Sequence, residues 1–273
     1  MSKLLILSLA FLLVGCDSKP DIAFLEYGEQ YSSKPDFAEV EYRHPLSASE
    51  LEKIDADYLE SLDQEQVDQI YARLGAGPIP DGPFDGNLFF PKGTSGDKRI
   101  AEIIGGWKGV FVNLSTEKLE FIGRNLWKGK VFYRDERLLR NRIEDLRLLK
   151  PLIGGELSDL PKIDVKGKDA WLLFPARLYC GQSLLDSRRE SIIIDYAFSD
   201  EIEGYREWPD FLASRRGLKI RDEIRMVRPG FYLGRAYADR AFLLNFTLQK
   251  SDKSTVAEAK QDCWTGTQVV AGN

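Results

Sequence analysis

The sequence predicts a mainly β (α+β) protein: an antiparallel meander that closes into a barrel or a strongly curved sheet, preceded by a short helical hairpin. Three observations carry that prediction. Runs between residues 168 and 250 alternate apolar and polar side chains with the period of two that lines one face of a strand. The connections between those runs are short, as at Arg228-Pro229-Gly230 and Ala238-Asp239-Arg240, and so suit hairpins between sequence neighbours. Aromatic residues make up 11% of the chain, which suits β structure and apolar pockets.

At the start of the chain, Lys3 precedes an apolar run from Leu4 to Gly15. That run is too short to span a bilayer, which takes about 20 apolar residues. It has the length of a signal-peptide core, which assigns residues 1–15 to a signal peptide. The alternative is a buried hydrophobic helix, against which stands the abrupt polar turn at Asp17, Ser18, Lys19 and Pro20. The run ends Leu13-Val14-Gly15-Cys16, which resembles the lipobox of bacterial lipoprotein precursors. The resemblance implies cleavage before Cys16, a thioether-linked diacylglycerol on its sulfur and acylation of the new amine. The membrane would then be a partner through the lipid on Cys16, with each buried methylene contributing about 0.8 kcal/mol and two or three chains needed for stable anchoring. Asp17 follows the Cys, as in enterobacterial lipoproteins retained at the inner membrane, so the resemblance implies a cell-membrane protein facing the periplasm. The formal charge of −5 falls by one when Lys3 leaves with the leader. A mildly acidic protein lacks the basic footprint of a nucleic-acid binder.

Residues 16–46 read as the lipid-attached tether, polar and interrupted by Pro20, Pro35 and Pro45. They carry a short repeat: Ser18-Lys19-Pro20-Asp21-Ile22-Ala23 returns as Ser33-Lys34-Pro35-Asp36-Phe37-Ala38. This is either a duplicated spacer or a pair of docking segments presenting Phe24/Tyr27 and Phe37/Tyr42. Residues 47–75 read as two short helices. Ser47-Ala48-Ser49-Glu50 and Asp63-Gln64-Glu65-Gln66 have capping-box spacing, and Leu51, Ile54, Tyr58 and Leu62 form one apolar face. Gly75 stands where a left-handed cap would end the second helix.

The body is expected at 76–250. Phe84 to Phe90 reads as its first strand, Lys98 to Ile104 as a helical piece, and Ser115 to Gly123 as another. Trp107-Lys108-Gly109-Val110-Phe111 is echoed by Trp127-Lys128-Gly129-Lys130-Val131-Phe132. A Trp two residues before a Gly at the start of a strand resembles the Gly-x-Trp signature of lipocalin-like (calycin) barrels, although here the Gly follows the Trp. Between 134 and 165, Arg137, Arg140, Arg142 and Arg147 alternate with apolar residues. This is a helix or a strand whose basic face is either solvated or set against phospholipid headgroups. Beyond it, Ile192, Ile194, Tyr196 and Phe198 share a face, and so do Phe242, Leu244, Phe246 and Leu248. Residues 251–273 form a polar tail.

Cys180 and Cys263 remain after Cys16, and an exported compartment permits disulfides. A bridge between them would close a loop of roughly 80 residues and stabilise by roughly 3–5 kcal/mol. The alternatives are two buried free thiols or a redox role. No cofactor or metal is implied, since the chain has no Cys-x-x-Cys, phosphate loop, His-Glu-x-x-His or EF-hand pattern. His44 is the only histidine and lies in the tether.

Period-two counting isolates two charges on apolar faces. Asp222 shares a face with Ile220, Ile224 and Met226. Arg235 shares one with Phe231, Leu233 and Tyr237. Asp195 lies opposite the apolar face of its strand. A lone buried ion costs several kcal/mol, so such charges are paired or functional. Either Asp222 and Arg235 form a pair that fixes strand register, or Arg235, Asp222, Tyr237 and Asp195 form the polar end of an apolar pocket, with Arg235 fixing an acidic headgroup. The leading function is therefore a lipid-anchored envelope lipoprotein that binds or carries a lipid or other hydrophobic ligand in its barrel. The alternatives are a non-catalytic envelope protein-interaction lipoprotein, docking through the helices at 47–75, and an enzyme using a carboxylate pair.

Overall fold

The computed structural model describes residues 19–27, 34–93, 125–147, 159–252 and 261–264. Four short helices come first: α1 (Phe37–Arg43), α2 (Ala48–Lys53), α3 (Ala56–Ser61) and α4 (Gln64–Arg73). Nine strands follow: β1 (Gly82–Phe89), β2 (Trp127–Tyr133), β3 (Leu138–Ile143), β4 (Lys162–Val165), β5 (Lys168–Gln182), β6 (Glu190–Asp195), β7 (Ile220–Arg228), β8 (Phe231–Ala238) and β9 (Ala241–Lys250). Eight of them close a barrel in the order β3-β2-β1-β9-β8-β7-β6-β5, sealed by pairing of β3 with β5. Every pairing is antiparallel, and β4 is a short addition against the start of β5. Full closure removes the exposed sheet edges that an open meander would leave.

Two apolar layers hold the body together. Phe84, Phe132, Ile192, Ile194, Tyr232, Phe246 and Leu248 fill the barrel interior. A second layer, on the outside of β1, β7 and β8, takes Ile54, Leu59, Val67, Ile70 and Leu74 from the helices against Phe89, Val227, Phe231 and Leu233. Strand β8 is consequently buried along its whole length. The predicted helical hairpin thus occupies the expected stretch, as three helices rather than two. Both capping boxes form. Gly75 does not make a left-handed cap: α4 ends at Leu74 in extended backbone, and Gly75 pairs with Met226.

The described part of the tether is docked on the body. Ile22, Phe37 and Val40 are buried, and Arg73 donates to the carbonyls of Ala23 and His44. The two copies of the repeat fold differently. In the second copy the Asp36 side chain accepts from Ala38 N at 2.9 Å and starts α1; in the first copy no helix forms over 19–27. Phe37 is buried while Tyr42 is exposed, so these two do not make a joint docking pair.

Several local expectations are resolved or changed. Residues 134–147, which read as either a helix or a strand, supply strand β3, and the arginines of this stretch are engaged: Arg142 with Asp85, Arg137 with Asp262, Arg147 with Asp145 and Arg140 with the Glu203 carbonyl. The register of β9 on β8 shifts between Ala236↔Leu244 and Tyr237↔Phe242. That shift leaves Leu244 inside and turns Phe242 out onto Arg235 and Tyr237. Phe198, three residues beyond the end of β6 at Asp195, is exposed, whereas Ile192, Ile194 and Tyr196 are buried. The expected elements at 98–104, 107–111 and 115–123 fall outside the described residues.

Candidate functional site

One end of the barrel gathers the β1–β2, β3–β4, β6–β7 and β8–β9 connections. A cavity of about 230 Å³ opens there, walled mainly by apolar side chains, among them Leu88, Ile143, Phe174, Ile220, Leu244 and Phe246. The polar groups of Trp127, Lys130, Asn141, Tyr196 and Asp222 also belong to its lining.

A bulge in β2 explains why Trp127 and Lys130 face the same way although they are three residues apart. Pairing with β3 shifts between Trp127↔Ile143 and Gly129↔Arg142, which reverses the parity of the strand. Gly129 sits at this shift with φ +135°, and a Cβ there would lie 2.0 Å from the Phe84 carbonyl oxygen. No other residue type fits so close an approach. The glycine after the tryptophan is therefore what turns the indole into the barrel. Gly234 clears space in a similar way, since a Cβ there would lie 2.3 Å from the Phe246 ring.

The Lys130 ammonium has its three donors filled. It donates to Asp222 Oδ2 at 2.9 Å, to the Tyr196 hydroxyl at 2.7 Å and to Asn141 Oδ1 at 2.9 Å. The rings of Trp127, Tyr196 and Phe246 surround it at 5.3–5.4 Å. Trp127 Nε1 donates to Asn141 Oδ1 at 2.8 Å, and Asn141 Nδ2 donates to Tyr196 Oη at 2.9 Å and to the Phe174 carbonyl at 3.1 Å. Tyr196 donates in turn to Asp222 Oδ2 at 3.3 Å. Burial alone would push the lysine down, but Asp222 and these hydrogen bonds more than offset it, so the ammonium stands above its ordinary value. Burial, partly countered by Lys130, pushes the Tyr196 phenol up to about 12. Near neutrality the site therefore holds a charged lysine and a neutral tyrosine. It has neither a neutral amine for nucleophilic work nor a phenolate base.

Of the four residues predicted to bind ligand, only Asp222 reaches this cavity. Register separates it from Arg235: Asp222 pairs with Ala236, while Glu223 pairs with Arg235, so the two charges point to opposite sides of the wall. The expected Asp222–Arg235 pair does not exist. Arg235 lies outside the barrel beneath α4, with Asp68 as its ion partner, Tyr237 Oη accepting from its Nε at 2.9 Å and the Phe242 ring 4.2 Å away. Tyr237 belongs to that outer layer. Asp195 also lies outside, where it accepts from the Tyr179 hydroxyl at 2.9 Å. Lys130, Asn141 and Tyr196 were not singled out as polar, although each falls on an apolar face: Lys130 with Phe132, Asn141 with Leu139, Tyr196 with Ile194.

At the opposite end Cys180 and Cys263 form a disulfide with Cα atoms 5.3 Å apart. The tail it holds is further fixed by Asp262, which accepts from Ile79 N at 2.9 Å and bridges Arg134 and Arg137. Glu190 lies within reach of both sulfurs, but these are bonded to each other and are not free thiolates. Burial pushes the carboxyls of Asp68 and Asp210 up. They occupy separate places, Asp68 under α4 and Asp210 on the backbone N–H groups of Phe174 and Arg206, and form no carboxylate pair. No helix among the described residues is long and apolar enough to cross a membrane.

No known protein family model matches the sequence, and no curated protein matches it. A crystal structure described only as a protein from Thermomonospora curvata aligns with 70% of this chain and 89% of its own, at 15% identity and a TM-score of 0.36. A likeness that loose carries no argument.

Proposed function

We propose that the protein is a lipid-anchored cell-envelope protein whose barrel takes a small apolar or amphipathic ligand at its open end. The observation that carries the binding half is the apolar cavity of about 230 Å³ at the loop-bearing end. An engineered cavity of about 150 Å³ binds benzene, whereas drug-sized sites run from about 300 Å³ upward. The space thus suits a single ring, a short chain or the end of a longer one. The lipobox at Leu13–Cys16 supports the anchoring half, with the inner membrane favoured by Asp17. The interaction reading loses its expected surface, because the apolar faces of the helices between 48 and 73 are spent on the barrel wall.

Native mass spectrometry of the full mature protein, released in mild detergent, tests the binding half. The expected result is a co-purifying small molecule that is lost in Ala236→Phe, a substitution that fills the cavity from β8, with circular dichroism unchanged. Wild-type protein that is empty and takes up no apolar probe would refute it. Metabolic labelling with an alkynyl fatty acid tests the anchor. Label and membrane fractionation should both be lost in Cys16→Ser, and an unlabelled wild-type chain refutes that half.

A further inference from the structure

The chemical class of the ligand follows from which polar atom lining the cavity is left with hydrogen-bonding capacity. This step rests on the cavity being the binding site. Lys130 has no donor left, since its three N–H groups are held by Asp222, Tyr196 and Asn141. Asn141 is saturated at both ends: Oδ1 accepts from Lys130 and Trp127, and Nδ2 donates to Phe174 O and Tyr196 Oη. Tyr196 accepts twice and donates once. Asp222 is different. Its side chain is 6% exposed, it lines the cavity, and both bonds it accepts among the described residues go to Oδ2. Oδ1 accepts none there, yet it is not among the sealed polar atoms that lack a partner.

We infer that Asp222 Oδ1 is the acceptor for a hydroxyl group carried by a small, neutral, apolar ligand of the phenol or alcohol class. The charge arrangement excludes the ionic alternatives. A carboxylate ligand meets the Asp222 charge with no free N–H from Lys130 to receive it. An ammonium ligand meets Lys130, which already neutralises Asp222 from 2.9 Å. The acidic headgroup expected from the sequence is thereby replaced by its opposite, a hydrogen-bond donor. The remaining surface asks for an apolar body, and rings suit it, because Trp127, Phe174 and Phe246 all border the space.

The test compares 4-ethylphenol, ethylbenzene and 4-ethylbenzoate on the full mature protein at neutral pH by isothermal titration calorimetry. A hydrogen bond to a charged acceptor predicts that 4-ethylphenol binds at least about tenfold tighter than either analogue. Asp222→Asn should bring the phenol and the hydrocarbon within about threefold of each other, with folding checked by near-ultraviolet circular dichroism. Should that variant fail to fold, the wild-type comparison alone decides. Ethylbenzene or 4-ethylbenzoate binding as tightly as the phenol overturns the ligand class and leaves the cavity reading standing. Absence of binding by all three overturns the cavity reading and the inference together.

Discussion

Lys130 and Asp222 are buried on opposite walls of the barrel, and removing either one should be expensive in a way that removing both is not. Their side chains are 3% and 6% exposed and lie 2.9 Å apart. Strand β2 carries one and β7 the other, four strands apart whichever way the barrel is traversed. Lys130→Met leaves Asp222 as a buried charge with only the Tyr196 hydroxyl on its Oδ2. Breaking a buried pair from one side costs about 3–5 kcal/mol, because the surviving ion keeps its desolvation penalty. With a urea slope of roughly 2 kcal/mol/M, the midpoint should fall by about 1.5–2.5 M. Asp222→Leu should cost about the same. The double variant Lys130→Met/Asp222→Leu should lie closer to wild type than either single one, since it removes both ions together. Equilibrium urea unfolding, followed by circular dichroism and by fluorescence with coincident transitions, measures all four proteins. Single variants that lose less than about 1 kcal/mol, or a double variant that loses the sum of the two, would refute the reasoning.

Three further outcomes are expected. Replacing Cys180 and Cys263 by Ala should cost about 4.5 kcal/mol in chain entropy for a separation of 83 residues, and limited proteolysis should then cut near 261–264; unchanged denaturation midpoints would contradict this. A chain beginning at Ser47 loses Ile22, Phe37 and Val40 from the body, about 1.5–3 kcal/mol each, so it should melt roughly 10–20 °C below a chain that retains residues 19–46. Alkaline pH should also destabilise the barrel: Tyr196 and Lys130 are both held above their ordinary values, so they bind protons more tightly folded than unfolded. The Tyr196 contribution is complete below about pH 10 and is lost as pH rises through about 12, and that of Lys130 is lost in the same direction. Tyr196 alone accounts for roughly 3 kcal/mol of this from its shift of 10.0 to about 12, and Tyr196→Phe should flatten the pH dependence of Tm.

Much of the architecture was legible because closure of a meander depends on local signals. Alternation along Ile192–Ile194 and Phe246–Leu248, with short turns at Arg228-Pro229-Gly230 and Asp239-Arg240, states which residues face inward and which strands are neighbours. Counting by twos fails where a bulge intervenes. It misplaced Phe242 because Leu243 is the extra residue between Tyr237↔Phe242 and Ala236↔Leu244. It hid the long β5, because Phe174-Pro175 interrupts a strand that continues through a register shift from Asn141↔Leu173 to Leu139↔Ala176. The docked tether was illegible for another reason. Polar, proline-punctuated sequence describes a spacer equally well when a few of its side chains, here Ile22, Phe37 and Val40, find a helix to lie on.

The candidate site was half legible, and the missing half is instructive. That Asp222 sits on an apolar face follows from its own strand. Its partner does not, because period-two counting says that two residues share a face within a strand and leaves open whether that face is inside or outside. Asp222 and Arg235 each occupy an apolar face of adjacent strands, yet β8 is buried on both sides, so Arg235 is covered by α4 and Asp68 while Asp222 is covered by the barrel itself. A charge inside a closed barrel is as free to pair across the lumen as along the wall. The residue that answers Asp222 comes from β2, where a Trp-Lys-Gly-Lys sequence looks amphipathic until Gly129 reverses its parity. An ion pair spanning the lumen also fixes the distance between opposite walls, so the pair that sets the chemistry of the cavity sets its width as well. That is why the same two substitutions should move both stability and ligand preference, and why a variant that changes one without the other would separate the two roles.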